Sequence, residues 1–335
     1  VIIAVRNGER YLRAKLESVL AQDYPAEKME ILVVSDGSTD ATETIARACA
    51  PRVRLLVQPP AGKGAALNLA IPQATGEILV LTDVRQVLAP DCVRRLVACF
   101  GDPRVGVVSG DLRIRNPETA EEISIGLYWR YESAIRAWLS AFDSMLGATG
   151  PIYALRRELA APLPSGILLD DMYLPLQAFF RGYRLVQEEA ARAWDYPTAL
   201  DTEFRRKVRT LGGNYQLLYL MPQLLGPANR LWLDYVSYKL GRLLLPVALV
   251  AIFTASWFLA EPWRTALLGA QAAFYALALL DLALPQGAPG KRITSTVRTF
   301  VVLMAASACA LAVLLVPPER LWKVTQTPVR PAGRS

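Results

Sequence analysis

Ile31-Leu32-Val33-Val34-Ser35-Asp36-Gly37-Ser38-Thr39-Asp40 decides how this chain is read. Ile31 to Ser35 is an apolar run with Val33 and Val34 at its centre, the pattern of a buried strand. Asp36 stands where that strand must end, and Gly37 follows for a turn. Ser38, Thr39 and Asp40 offer N-caps for a helix beginning near Ala41. In a doubly wound α/β sheet, ligands bind at the carboxyl ends of the strands. Asp36 is thus placed to touch a ligand. The alternative is that it only caps the turn or the helix.

Outward from this stretch the same unit repeats. Strands are expected at Val1–Val5, Glu30–Ser35, Val53–Val57, Ile78–Leu81 and Val105–Ser109. Helical patterns lie between them, near Glu9–Gln22, Ala41–Ala48, Lys63–Gln73 and Pro90–Phe100. The alternation predicts an α/β fold, with a mostly parallel sheet and helices on both faces. A helical pattern rich in Tyr and Trp covers Ala120–Phe142, read as packing. A Gly- and Pro-rich loop runs from Gly147 to Ser165 around a short strand, Ile152–Leu155. Further helices start near Asp170 and cover Asp201–Leu211.

The 335 residues are 53% hydrophobic, with a mean hydropathy of +0.25, more apolar than ordinary soluble chains. The excess lies late. Leu243–Ala260, Ala266–Leu284 and Thr299–Val316 each approach the length of a spanning helix. Asp281 is costly in lipid, so it predicts a helix end near the headgroups or a polar partner. Asn214–Lys239 mixes Leu, Tyr and Trp with few charges, as an interfacial segment does. The expected organisation is a catalytic domain over 1–220, an interfacial segment over 221–242, a membrane region over 243–318 and a basic tail over 319–335. The chain opens inside a strand without an initiator Met or signal peptide, so its natural N-terminus is expected upstream.

Net charge is +7, which suits juxtamembrane positions near anionic lipid, or an anionic substrate. No basic block or binding motif points to nucleic acid. The chain has no His, which excludes Ser-His-Asp and Cys-His sites and His-bound metals. Four cysteines show no zinc-ligand spacing and read as thiols of a reducing compartment. Acid–base chemistry must then fall to carboxylates, Lys, Tyr or Cys.

Asp83 repeats the logic of Asp36, at the end of the strand Glu77–Leu81. Two such carboxylates suit a hard cation, Mg2+ or Mn2+, that bridges phosphates. Asp170-Asp171 opens a helix, either as dipole-stabilising residues or with one as a general base. Arg206 and Arg209 share a helix face and suit a diphosphate, or equally a solvated or lipid-facing surface. Ala61-Gly62-Lys63-Gly64 lacks P-loop spacing but sets Lys63 at a helix N-terminus.

In this order the motifs resemble family 2 glycosyltransferases of the GT-A, Rossmann-like nucleotide-sugar-binding fold. The similar branch is the membrane-anchored one related to cellulose, chitin, hyaluronan and poly-N-acetylglucosamine synthases. The stretches that carry it are VIIAVRNGE, SVLAQDYP, ILVVSDGSTD, GKGAALNLA, GEILVLTDV, GPIYALRRE, LDDMYLPLQAFFRGYRL and RRKVR. The resemblance implies that Asn7 and Glu9 lie along the nucleotide. Asp36 would contact the uracil or ribose of a UDP-sugar, and Lys63 would lie near the nucleotide or diphosphate. Asp83 would hold the metal–diphosphate as the first residue of the DXD element. Asp170 and Asp171 match the ED element, with Asp171 as general base. Arg206 and Arg209 match the QxxRW element. Two departures stand out: Arg85 replaces the second DXD carboxylate and could substitute electrostatically, while Arg206 and Thr210 replace the Gln and Trp of QxxRW.

The implied protein is an inverting glycosyltransferase of the inner membrane with a cytosolic catalytic domain, using a UDP-sugar and a glycan or lipid-linked acceptor. The missing Trp weighs against processive polysaccharide synthesis, and Leu321–Thr325 only faintly resembles a gating loop. An inactive nucleotide-binding scaffold is the alternative from another class. Three spans put the tail outside, whereas Arg320, Lys323, Arg330 and Arg334 favour inside.

Overall fold

The computed structural model of the chain describes residues 1–115, 127–196, 200–285 and 287–316. The start of the Ala120–Phe142 pattern, the gating-loop-like segment and the tail charges therefore lie outside the described residues. By its internal contacts the chain forms two compact units, Val1–Thr198 and Ala199–Ser335.

The first unit opens with the expected alternation: β1 (Ile2–Val5), α1 (Glu9–Leu20), β2 (Leu32–Asp36), α2 (Thr42–Arg47), β3 (Arg54–Gln58), α3 (Lys63–Ala70) and β4 (Ile78–Thr82). There follow β5 (Val87–Leu88), α4 (Cys92–Ala98), β6 (Val105–Ile114), α5 (Leu127–Phe142), β7 (Ile152–Arg156), α6 (Asp170–Phe180) and β8 (Arg184–Asp195). The eight strands form one sheet in the order β3-β2-β1-β4-β7-β6-β8-β5. From β3 to β4 all pairs are parallel. β7 then enters antiparallel between β4 and β6, and β8 pairs parallel with β6. The parallel character expected of the sheet thus belongs chiefly to its first half.

Alternation along the strands divides the core. Ile3, Val5, Val33, Val80, Val108 and Ile152 form one cluster with Leu12, Leu16 and Val19 of α1 and with Cys92 and Leu96 of α4. The alternate residues Ile2, Leu32, Val34, Leu79, Leu81 and Tyr153 are equally buried. Each such aliphatic side chain contributes roughly 1.5–3 kcal/mol of burial against the entropy of ordering the chain.

β8 was absent from the sequence expectations. Its stretch Arg-Leu-Val-Gln-Glu-Glu-Ala-Ala-Arg-Ala-Trp-Asp has no clean period, yet β6 and β5 flank it on both sides. Partners on both edges satisfy its backbone and override weak local preference.

The second unit begins with α7 (Leu200–Leu220), longer than the expected Asp201–Leu211. Leu211 and Tyr215 of α7 cluster with Leu243, Ala306 and Ala310. The Tyr215 hydroxyl donates to the Leu243 carbonyl at 2.9 Å. These contacts group α7 with the apolar helices, so the compact boundary falls at 198/199 instead of 220. Trp232–Ser256, Trp263–Ala283 and Lys291–Leu314 are long and apolar enough to cross a membrane. The first begins inside the segment expected to be interfacial. Phe258 is 85% exposed and Trp263 68%, as side chains facing lipid would be. Asp281 has the polar partners its position predicted: Lys291 Nζ at 3.0 Å, Arg298 Nη1 at 3.1 Å and the Thr294 hydroxyl at 2.9 Å.

Candidate active site

Asp36 is the last residue of β2 and is 5% exposed. Its carboxylate accepts Gln58 Nε2 at 2.8 Å, Ala61 N at 2.8 Å and Gly62 N at 2.9 Å. It thereby ties the end of β2 to the loop that leads into α3. Gly37 must be glycine here: φ is +63°, and a Cβ would lie 2.5 Å from Pro60 Cδ. Beyond that loop Lys63 opens α3, and its Nζ reaches Asp83 Oδ1 at 2.9 Å and Asp170 Oδ2 at 3.0 Å.

Four predicted residues thus form one chain of contact, Asp36 to the loop and Lys63 to Asp83 and Asp170. Asp36 and Asp83 end strands that are not neighbours, because β1 lies between β2 and β4. Lys63 makes the connection. Burial works against its charge, but Asp170, Asp83 and Asp171 outweigh it and raise its pKa well above the ordinary lysine value.

Asp170 and Asp171 begin α6, as expected. Asp170 is buried, and the Tyr153 hydroxyl stands 3.5 Å from its Oδ2. Burial, then Asp170, Asp171 and Asp83, keep the Tyr153 phenol protonated far above its usual range. Asp171 is half-buried. A Cβ at Gly150 would come 2.7 Å from its Oδ2, so only glycine leaves this side of the carboxylate open. β7 pairs Thr82 with Ile152, which brings Gly150 and Pro151 beside Asp83.

The remaining predicted residues have other partners. Asn7 adopts φ +51°, a left-handed conformation that Asn tolerates. Its Oδ1 accepts the Thr39 amide at 2.8 Å, and the Glu9 carboxylate accepts the Ala41 amide at 3.0 Å. In return, Ser38 Oγ accepts the Asn7 amide and Asp40 Oδ2 the Glu9 amide. Asn7 and Glu9 therefore clasp the loop after β1 to the loop after β2. Arg85 pairs with Asp195, which is 1% exposed and also accepts Gln86 Nε2 at 2.8 Å. Arg85, which stands in place of the second DXD carboxylate, is thus tied to the end of β8. Arg206 and Arg209 lie exposed on α7 of the second unit, three residues apart on one helix face.

Sequence reasoning missed Tyr153, Asp195 and Lys15. Lys15 is fully buried although it belongs to the amphipathic helix α1. Its place among Leu12, Leu16 and Val19, at helical spacing, was the available signal. Asp195 ends a strand the sequence did not reveal.

Residues 1–162 match the family described as Glycosyl transferase family 2. An N-acetylglucosaminyltransferase of Rhizobium meliloti (strain 1021) is 30% identical over 284 residues, covering 77% of this chain and 65% of the relative. Residues 1–162 belong to glycosyltransferase family 2. A second N-acetylglucosaminyltransferase, from Sinorhizobium fredii, is 28% identical over 291 residues, covering 80% of this chain and 70% of that protein. Against four such relatives the chain spans 53–70% of their length. The solved structure of the mannosyltransferase PcManGT from Pyrobaculum calidifontis, in complex with GDP-Man and Mn2+, superposes with a TM-score of 0.70 at 24% identity. That match covers 96% of this chain and 86% of the other. It shows the GT-A-like fold, here followed by long apolar helices.

Proposed function

We propose that this chain is a membrane-anchored, inverting glycosyltransferase that moves a sugar from a nucleotide-sugar to a glycan or lipid-linked hydroxyl. The observation that carries the reading is Lys63 bridging Asp83 and Asp170 beside Asp171. It supplies a cation and a base at the carboxyl ends of parallel strands, where a nucleotide binds.

The reaction is a single displacement. The acceptor oxygen bonds to the anomeric carbon while the bond from that carbon to the diphosphate oxygen breaks from the opposite face. Asp171 takes the acceptor proton, and Gly150 leaves it room to do so. Asp170, held by Lys63 and Tyr153, orients the ammonium. Lys63 then offers positive charge where the departing diphosphate becomes more negative. Asp36 fixes the Ala61–Gly62 backbone that presents Lys63, and in the bound state meets the nucleoside. The place proposed for Arg206 and Arg209, at the diphosphate, rests on the sequence pattern alone.

Among the described residues no group of three or more acidic or thiol ligands could hold a metal by itself. Asp83 can share one with a diphosphate, since Mg2+ and Mn2+ accept one carboxylate plus phosphate oxygens. A metal bound there would neutralise charge on the diphosphate.

The relatives' names make UDP-N-acetylglucosamine the first donor to test. The poly-beta-1,6-N-acetyl-D-glucosamine synthase of Staphylococcus aureus (strain COL), 26% identical over 230 residues, supports a second reading as a polymerising enzyme. Product length on a short primer separates the two. The apolar helices suit a catalytic domain on the cytosolic face of the inner membrane, among nucleotide-sugars and lipid. The experiment is a screen of UDP- and GDP-sugars for transfer and donor hydrolysis by purified chain, repeated with Asp171→Asn. The variant should lose about 10²–10⁴-fold in turnover and still bind UDP. Full activity in Asp171→Asn would remove it as base, and inertness toward every donor would leave the scaffold reading.

A further inference from the structure

Lys15 stands in the apolar stripe of α1 and is 0% exposed. A lysine taken out of water is costly, and it persists where its donors are used. Lys15 Nζ donates to Thr82 Oγ1 at 2.5 Å and to the Gln86 carbonyl at 2.8 Å. The Thr82 hydroxyl donates in turn to the Pro151 carbonyl at 2.7 Å, which leaves its lone pairs facing Lys15. Lys15 forms no ion pair among the described residues.

The two acceptors are the two ends of one turn. Between Thr82 and Gln86 lie Asp83, which meets Lys63, and Arg85, which meets Asp195. The far end is held a second time by Gln86 Nε2 on Asp195. From below, one amine therefore spans the base of the loop that carries Asp83. A loop fixed at both ends before ligand arrives has less freedom to lose on binding. Residues that orient a ligating group in this way commonly matter nearly as much as the group itself.

We propose that Lys15 is a positioning residue for the donor: by holding both ends of the Thr82–Gln86 turn from beneath, it fixes Asp83 where the diphosphate binds. This rests on the nucleotide-sugar reading of the site. No atom of Lys15 touches the donor; it acts through the turn.

The test is calorimetric titration of the detergent-solubilised full chain with UDP and with GDP, in the presence of Mn2+. The parent is compared with Lys15→Met, Thr82→Val and the double variant, and each melting temperature is recorded. Each single change should weaken the tighter nucleotide by about ten- to a hundredfold. The double variant should lose less than the two single losses combined, because the Lys15–Thr82 bond is removed by both. Lys15→Met should melt no lower than the parent, since a buried charge is gone. With an active donor, the loss should fall on KM and not on kcat. A stable fold joined to poorer nucleotide binding is what a purely structural role does not produce. Lys15→Met binding UDP and GDP like the parent, or losses that add in the double variant, would overturn the proposal. Should Lys15→Met fail to fold, Thr82→Val alone decides by the same criterion. A parent chain that binds neither nucleotide overturns the glycosyltransferase reading first, and this proposal with it.

Discussion

Two clusters of opposite charge show how one chain uses the same chemistry for different ends. In the first unit, Lys63 faces Asp83 and Asp170 with Asp171 close enough to influence it, an excess of negative charge around one cation. The ammonium and Asp83 are 37% and 38% exposed. In the second unit the ratio is reversed. Asp281, 2% exposed, is matched by Lys291 and Arg298 and by a Thr294 hydroxyl, all from a single neighbouring helix. The second cluster is closed at its anion: Asp281 is held on both carboxylate oxygens, and it fastens two apolar helices. The first is open, because water reaches it and a diphosphate can compete for Lys63. Charge left accessible serves chemistry, and charge sealed and matched serves architecture.

The largest expected effect separates the clusters directly. Lys63→Met should weaken nucleotide binding about a hundredfold, as measured by calorimetry, and should also lower the melting temperature in detergent, because buried Asp170 loses its ammonium partner. Equal binding by that variant would break the distinction. Asp281→Ala should lower the melting temperature by several degrees and leave nucleotide affinity alone, so affinity is the readout that separates the clusters. Buried cations that lose their partner are strongly unfavourable.

A smaller effect tests Arg85. Arg85→Met leaves Asp195 buried with only Gln86 and the Tyr196 amide. It should cost about 1–3 kcal/mol of stability, with donor affinity falling less than in Lys63→Met. A loss as large as that of Lys63→Met would return Arg85 to the diphosphate.

The smallest effect is one of pH. Burial pushes the Lys15 amine down to about 7, against the pull of Asp83 and of Cys92. Above that value the folded chain releases a proton that the unfolded chain keeps up to the ordinary lysine pKa of 10.5. The unfolded state then binds more protons, so stability from this group rises with pH from about 7 upward. Lys63 has the opposite shift. Its contribution is complete below the ordinary value and fades only above it, so it is flat from pH 6 to about 9. Melting curves across that range should lose part of their slope in Lys15→Met and keep it in Lys63→Met.

The legible part of the sequence was the part built from local signals. β1 to β4 and the helices between them follow hydrophobic period and turn residues, so their places were readable within a few residues, although the residue at the N-cap of α2 is Ala41 and not Ser38, Thr39 or Asp40. Asp36, Asp83 and Asp170 were readable because each sits at the end of such an element. β8 was not, since partners on both edges and not period make it a strand. The strand order was equally hidden: nothing in Ile152–Arg156 announces that it inserts antiparallel beside β4. Asn7 and Glu9 were read as lying along the nucleotide, whereas their bonds to Thr39 and Ala41 depend on how two segments meet and were hidden. Lys15 shows the same limit in part: its place beside Leu12, Leu16 and Val19 marks the buried stripe, but its acceptors on the Thr82–Gln86 turn are not written in the sequence.

The seam between β4 and β7 has a consequence for how such a protein diversifies. The groups proposed to meet the donor, Asp36, Lys63 and Asp83, all come from chain that precedes this seam, while Gly150 and Asp171, proposed to face the acceptor, come from chain that follows it. The two portions meet through a short backbone ladder, Thr82 opposite Ile152 to Ile78 opposite Arg156. Ladder pairing is tolerant of side-chain change. A lineage can therefore rewrite the later portion, and with it the choice of acceptor, while the earlier portion is inherited intact. The same joint is where a laboratory chimera should be cut.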